Sequence, residues 1–155
     1  MSVLSSTGAL PLPPEVLTFG QVELRFVRVV PGEPERGFVP AYNFRVRTLA
    51  GADVGHINFR VGDTVHIRMY AGHIGYEIFE AHRGHGYARQ ACEAIAPFVG
   101  TIYQSVIITC DPDNLASKRT IENLGARFLE EVPVPPGEPQ YRRGSRCKRR
   151  YEWTP

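Results

Sequence analysis

Apolar and polar residues alternate along residues 21–30, where Val22, Leu24 and Phe26 take every second position. A period of two places them on one face of a pleated chain and predicts a strand with one buried side. Pro31, Gly32, Pro34, Gly37 and Pro40 then exclude a helix over residues 31–40, because proline lacks the amide donor and clashes with the preceding turn. Strand patterns return over residues 42–48 and 54–61, and after a turn at Gly62 and Asp63 another strand is expected over 65–70. Residues 73–79 read as strand again, continuing across a break or bulge at Gly72.

Beyond Gly86 the period changes. Ala88, Ala91, Cys92, Ile95, Phe98 and Val99 share one helical face, predicting a helix over residues 86–99 that Pro97 and Gly100 end. The apolar run within residues 103–110, through Val106, Ile107 and Ile108, suits a strand buried on both faces. Asp113 or Asn114 can cap a second helix running to about Leu124, with Gly125 as its C′ residue. Strands follow over 126–132 and 147–153, with the turn-rich residues 133–144 between them. The order is four or five strands, helix, strand, helix, strand, strand, with no internal repeat. It predicts a single domain over residues 1–155, in which residues 1–14, rich in Ser, Pro and Gly, form a flexible N-terminal arm.

Composition narrows the classes. A length of 155 residues, 43% hydrophobic and 22% charged, fits an ordinary globular domain. No apolar run reaches the length of a membrane span and no secretory leader is visible, so a cytoplasmic protein with no membrane partner is expected. Cys92, Cys110 and Cys147 are odd in number and widely spaced, which predicts neither a disulfide framework nor a metal site. A net charge of +2 is too small for a general nucleic-acid binder, and no such partner is expected.

The stretch that carries chemistry runs from Glu77 through Ile78, Phe79, His82, Arg83, Gly84, His85 and Gly86 to Tyr87 and Ala88. A strand ends, a glycine-rich turn follows, and a helix starts. Glycines let backbone N–H groups approach an anion, the helix start adds unpaired donors and a positive dipole end, and Arg83 adds a fixed charge. These are the parts of a diphosphate cradle, although many strand–glycine–helix turns bind nothing. The dinucleotide fingerprint is excluded because Gly84 and Gly86 lack a third glycine, and the P-loop because no Gly-Lys-Ser/Thr is present.

The segment Arg83-x-x-Gly86-x-Ala88 resembles the R/Q-x-x-G-x-G/A signature of the GNAT superfamily of acyl-CoA-dependent N-acetyltransferases. The segment from Asp111 through Asn114 and Ser117 to Gly125 is similar to that family's second marker, in the right order and with the expected strand between. The resemblance covers residues 43–153 in pattern and 75–127 in motif detail, and is nearest to the ribosomal-protein N-acetyltransferase branch. It implies a mixed α/β (α+β) fold: a mostly antiparallel sheet of six to seven strands, a splayed V-shaped cleft and two main helices, with the N-terminal helices reduced or absent. It implies acetyl-CoA as co-substrate, no metal, and an amine acceptor, protein or small molecule, in a monomer or homodimer. Ile78, Phe79, Arg83, Gly84, His85, Gly86, Tyr87, Ala88, Asn114 and Ser117 would bind the cofactor. Asn114 as a plain helix cap and Ser117 as a solvated helix residue are the alternatives.

Two departures matter. The position of the family's proton-donating tyrosine, seven after the motif asparagine, is Ile121, and that of its glutamate base, five before, is Thr109. Glu77, His73 and Tyr76 are the substitutes offered by the cleft strand, with His56 on a neighbouring one; each could equally be an exposed or satisfied strand residue. This leaves two functions: direct transfer of an acetyl group to an amine, or a catalytically weak acyl-CoA-binding or sensor module. The short, Pro/Gly-rich residues 31–40 replace the helices that usually wall the acceptor side, which favours an open site and an extended acceptor. Finally, Arg142, Arg143, Arg146, Lys148, Arg149 and Arg150 crowd the C-terminal end. They could contact the 3′-phosphate of CoA, attract an acidic acceptor, or line a solvated strand edge.

Overall fold

The computed structural model describes residues 10–155. Residues 1–9 of the expected N-terminal arm lie outside the described residues. Val16–Phe19 (β1) and Val22–Val30 (β2) form a hairpin through Gly20. Ala41–Thr48 (β3), Asp53–Arg60 (β4) and Ile74–Ile78 (β5) extend it into a five-stranded antiparallel sheet in the order β1-β2-β3-β4-β5. Tyr87–Val99 (α1) follows β5. Val106–Cys110 (β6), Arg127–Pro133 (β7) and Cys147–Trp153 (β8) form a second sheet, order β6-β8-β7. Leu115–Asn123 (α2) lies between β6 and β7 in the chain, and the one-turn Pro139–Arg142 (α3) between β7 and β8. This is the mixed, mostly antiparallel architecture implied by the resemblance, with a 3₁₀ turn at Pro34–Arg36 in place of N-terminal helices.

The strand alternation explains the core. Val22, Leu24, Tyr42, Phe44, Val46, Ile57 and Phe59 are buried together with Ala91, Cys92, Ile95, Phe98 and Val99 of α1. Tyr42 stacks on Phe59 at 5.8 Å and meets Phe98 edge-on at 4.9 Å. Each such side chain contributes about 1.5–3 kcal/mol through burial. Interleaved on the strands are Asn43, Arg45, His56, Asn58 and Arg60, all only partly buried, which leaves a polar face that no helix covers among the described residues. Pro97 does not end α1. The helix continues to Val99, and burial of Phe98 and Val99 offsets the bond that proline cannot donate.

Residues 65–70 are not a strand. His66–Ala71 is a single π-helical segment, closed by Gly72 N–H to Ile67 O at 2.8 Å. Its apparent alternation misleads because Val65 is 69% exposed and only Ile67 of the segment is buried. Tertiary bonds hold it: Arg150 Nε donates to Arg68 O (2.9 Å) and Thr109 Oγ1 to Tyr70 O (2.7 Å). β1 lacks a legible pattern because a four-residue, largely exposed edge strand needs none. Nor is β8 an edge. It is the central strand of its sheet, where Arg149 pairs with Glu131 and Arg150 with Glu130, while Lys148 pairs with Asp111. That removes the solvated-edge reading for these three side chains.

Among the described residues no helix is long and apolar enough to cross a membrane.

Candidate active site

β5 and β6 belong to different sheets and share no ladder. They meet where His73 N–H donates to Ile107 O at 2.7 Å and Ile107 N–H donates to His73 Nδ1 at 2.9 Å. Gly72 is the hinge of this contact. A Cβ on it would sit 3.0 Å from Ile107 O, and its φ of 74° is one that glycine takes without strain. Beyond it the strands part. In the β4–β5 ladder His73 O accepts from Arg60 N–H and Phe79 N–H donates to Val54 O. Antiparallel alternation then aims the backbone groups of Ile74, Tyr76 and Ile78 away from β4, into the gap. A cleft of about 300 Å³ follows, lined by Tyr76, Ile78, Arg83, Asn114, Ser117 and Thr120 among others.

The cleft's mouth is the turn into α1. Gly84 and Gly86 have φ of 89° and 76°, values that bring successive amides to one side. The N–H groups from Gly84 to Arg89 have no acceptor among the described residues; the first bond of the helix is Gln90 N–H to Gly86 O. A Cβ at Gly84 would meet nothing within 4 Å, so the space over these donors is open. Unpaired donors of this kind at a helix start suit an anion. Phe79 precedes the turn, and His85 and Tyr87 flank it with rings 5.4 Å apart. Ala88 sits in the first turn of α1. Arg83 Nε donates to Ile78 O at 2.8 Å, which fixes the guanidinium at the strand end. It also takes the Ile78 carbonyl, so only the N–H of Ile78 is free for the pantetheine arm.

Two side chains cross the gap. Tyr76 from β5 and Ser117 from α2 share a hydrogen bond of 2.7 Å between their hydroxyl oxygens. Burial raises the Tyr76 pKa, with lesser contributions from Cys92 and others, so the phenol is a proton donor at neutral pH and not a base. Asn114 caps α2, its Oδ1 accepting from Ser117 N–H at 3.1 Å. Asn114, Ser117 and Thr120 are spaced by three on one helix face. That spacing was the signal for Thr120, which sequence reasoning missed.

The other candidates divide. Glu77 lines the same cleft, with its exposed carboxylate 3.6 Å from His56 Nε2. His73 is completely buried. Since a backbone amide can only donate, Nδ1 accepts from Ile107 and the proton lies on Nε2, which faces Gly62 O (3.1 Å) and Asp63 (3.3 Å). With both nitrogens engaged inside the core, His73 ties the strand junction and cannot relay a proton in the cleft. Ile121 is fully buried, and Thr109 spends its hydroxyl on Tyr70 O. Among the described residues no group of three or more His, Cys, Asp or Glu could hold a metal ion.

A five-stranded sheet parted from a second one, with a run of unpaired amides at the mouth of the gap, is the arrangement of the GNAT fold. The chain belongs to the GNAT acetyltransferase family: the family's acetyltransferase (GNAT) domain matches residues 14–127. Among solved structures, the GNAT-family acetyltransferase from Bacillus anthracis is similar at 25% identity and TM-score 0.56, over 72% of this chain and 65% of that one. The chain thus spans about two thirds of that protein. RimL, a ribosomal-protein alpha-N-acetyltransferase with coenzyme A bound, shares the fold at 15% identity and TM-score 0.61, over 90% of this chain and 98% of that one. RimJ of Mycobacterium smegmatis, with CoA disulfide, shares it at 18% identity and TM-score 0.57, over 74% and 53%. No curated protein sequence matches the chain.

Proposed function

We propose that the protein transfers an acetyl group from acetyl-CoA directly to an amine. The observation that carries this reading is the run of unpaired N–H groups from Gly84 to Arg89 at the mouth of the β5–β6 gap. They would hold the diphosphate, with Arg83, and the free N–H of Ile78 would hold the pantetheine arm. The bound thioester supplies the activated acetyl group: a C–N bond forms to the amine as the C–S bond breaks. Tyr76, backed by Ser117, would give its proton to the departing sulfur. Glu77, exposed beside His56, would take the proton that the amine loses. Alignment of amine and thioester supplies much of the rate without a strong base. RimL is named for protein N-termini, and an uncovered polar sheet face suits such an extended acceptor.

Thiol release from acetyl-CoA in the presence of a panel of amines tests the reading. Amine-dependent release supports it. Tight CoA binding with no release from any amine would favour the second reading, a catalytically weak acyl-CoA-binding module, for which the buried Ile121 at the family's acid position is the specific observation.

A further inference from the structure

The β5–β6 gap does not end at Tyr76. A second cavity continues from Tyr76 and Gly75 past Thr109 and Cys110 to Arg60 and Gln140. A third, about 270 Å³ and open to solvent, starts from the same Arg60 and Gln140 and is walled by Val39, His66, Ile67 and Arg143. The far cavity is built from the Pro/Gly-rich residues 31–40, the π-helical segment and α3, on the side of the gap away from the amide cradle.

Its charge is unbalanced. Arg60 and Arg143 both line it, and neither is in an ion pair among the described residues. The acidic side chains nearby are already taken: Glu33 by Arg36 at 3.3 Å, and Glu138 by His66 at 2.5 Å. Arg60 is partly buried, and Nη1 donates to the Ala71 and Gly72 carbonyls at 3.1 Å each. Its Nε and Nη2 have no acceptor among the described residues, and Arg60 lines both this cavity and the one beside Tyr76. That Nε–Nη2 edge is the one that fits two carboxylate oxygens side by side. Nη2 lies 2.7 Å from where a Cβ on Gly75 would be, so Gly75 makes room for the guanidinium next to Tyr76. Burial lowers the Arg60 pKa, and the charge of Arg143 lowers it further. A partly desolvated cation facing a second cation is costly until an anion joins them.

Resting on the acetyltransferase reading, we infer that the amine acceptor carries a carboxylate, held between Arg60 and Arg143 so that its amine reaches the gap beside Tyr76. Arg143 is the cleaner probe, being exposed and free of side-chain bonds, whereas Arg60 also supports the π-helical segment. Matched acceptors test the inference: L-glutamate against L-glutamine, glycine against glycinamide, and peptides beginning with Asp or Glu against the same peptides beginning with Asn or Gln. The carboxylated member of at least one pair should show kcat/KM at least tenfold higher. Arg143→Glu should remove that preference while leaving CoA affinity and Tm unchanged, and Arg143→Lys should keep part of it. The free amino acids and the peptides separate a small acceptor from a protein terminus. Binding is read independently of turnover by titrating glutarate into the CoA-loaded protein and its Arg143→Glu variant. Equal use of both members of every pair, or glutarate binding that Arg143→Glu does not weaken, overturns the inference and leaves acetyl transfer standing. Glutarate binding without thiol release from any amine would leave the anion site standing and sink the transfer reading.

Discussion

At the scale of single residues, the proposed transfer puts most of its chemistry on Tyr76. A phenol whose pKa burial has raised keeps its proton at neutral pH, and its hydroxyl lies in the gap against Ser117. Tyr76→Phe keeps the ring and its packing and removes only the proton. It is expected to lower kcat by about 100-fold or more with little change in the KM for acetyl-CoA, read by thiol release. An unchanged kcat would reassign the donor. His73 belongs to stability instead. Burial, partly opposed by Asp63, lowers its pKa, so the unfolded chain binds a proton that the folded chain resists. Stability from His73 is therefore complete above the unfolded value of about 6.5 and is lost as pH falls below it. Tm should drop between pH 7 and pH 5, and His73→Gln should flatten that slope. Tyr76 was legible as a candidate because strand, motif and residue type coincided. That His73 is buried was not legible, because a break at Gly72 was expected but nothing in the alternation says that Ile107 meets the chain there.

Among elements, α1 and α2 supply the two sides of the proposed cofactor site. Both starts were legible, the first from Gly84 and Gly86 and the second from Asn114, because caps and glycine turns are local chemistry. Asn114→Ala removes the bond to Ser117 N–H and should destabilise the protein by about 1 kcal/mol, or roughly 2–4 °C in Tm. It should also raise the KM for acetyl-CoA, because Ser117 loses its anchor. A loss of stability with no change in KM would make Asn114 a cap and nothing more. The π-helical His66–Ala71 was not legible. Its six residues mimic a strand, and the bonds that decide its form come from Thr109 and Arg150, far away in the chain. Propensity is a weak prior wherever distant partners supply the hydrogen bonds.

For the whole molecule, motif order pointed to a mostly antiparallel sheet splayed at a cleft, and the structure has it as a five-stranded and a three-stranded sheet that part beyond Gly72. Legibility failed where a property belongs to the assembly of elements. The central position of β8 follows from the order β6-β8-β7, and it turns an apparent basic patch into ion pairs with Glu130, Glu131 and Asp111. Only Arg142 and Arg143 of that run, with Arg146 over the Tyr141 ring at 3.7 Å, stay out of ion pairs. Among the described residues nothing folds over the polar sheet face, and residues 31–40 hold only a 3₁₀ turn at Pro34–Arg36. Everything functional rests on whether the amides before α1 hold a diphosphate. Calorimetric titration of coenzyme A into the wild-type protein and into Gly86→Val tests this most directly. At Gly86 the φ of 76° disfavours any side chain, while a Cβ would meet only Gln90 Nε2 at 3.7 Å, so the turn should distort without crowding the core. The account predicts one CoA per chain in the wild type, with affinity at least tenfold weaker in a variant that still unfolds cooperatively. No binding heat in the wild type, or equal affinity in both proteins, would contradict it.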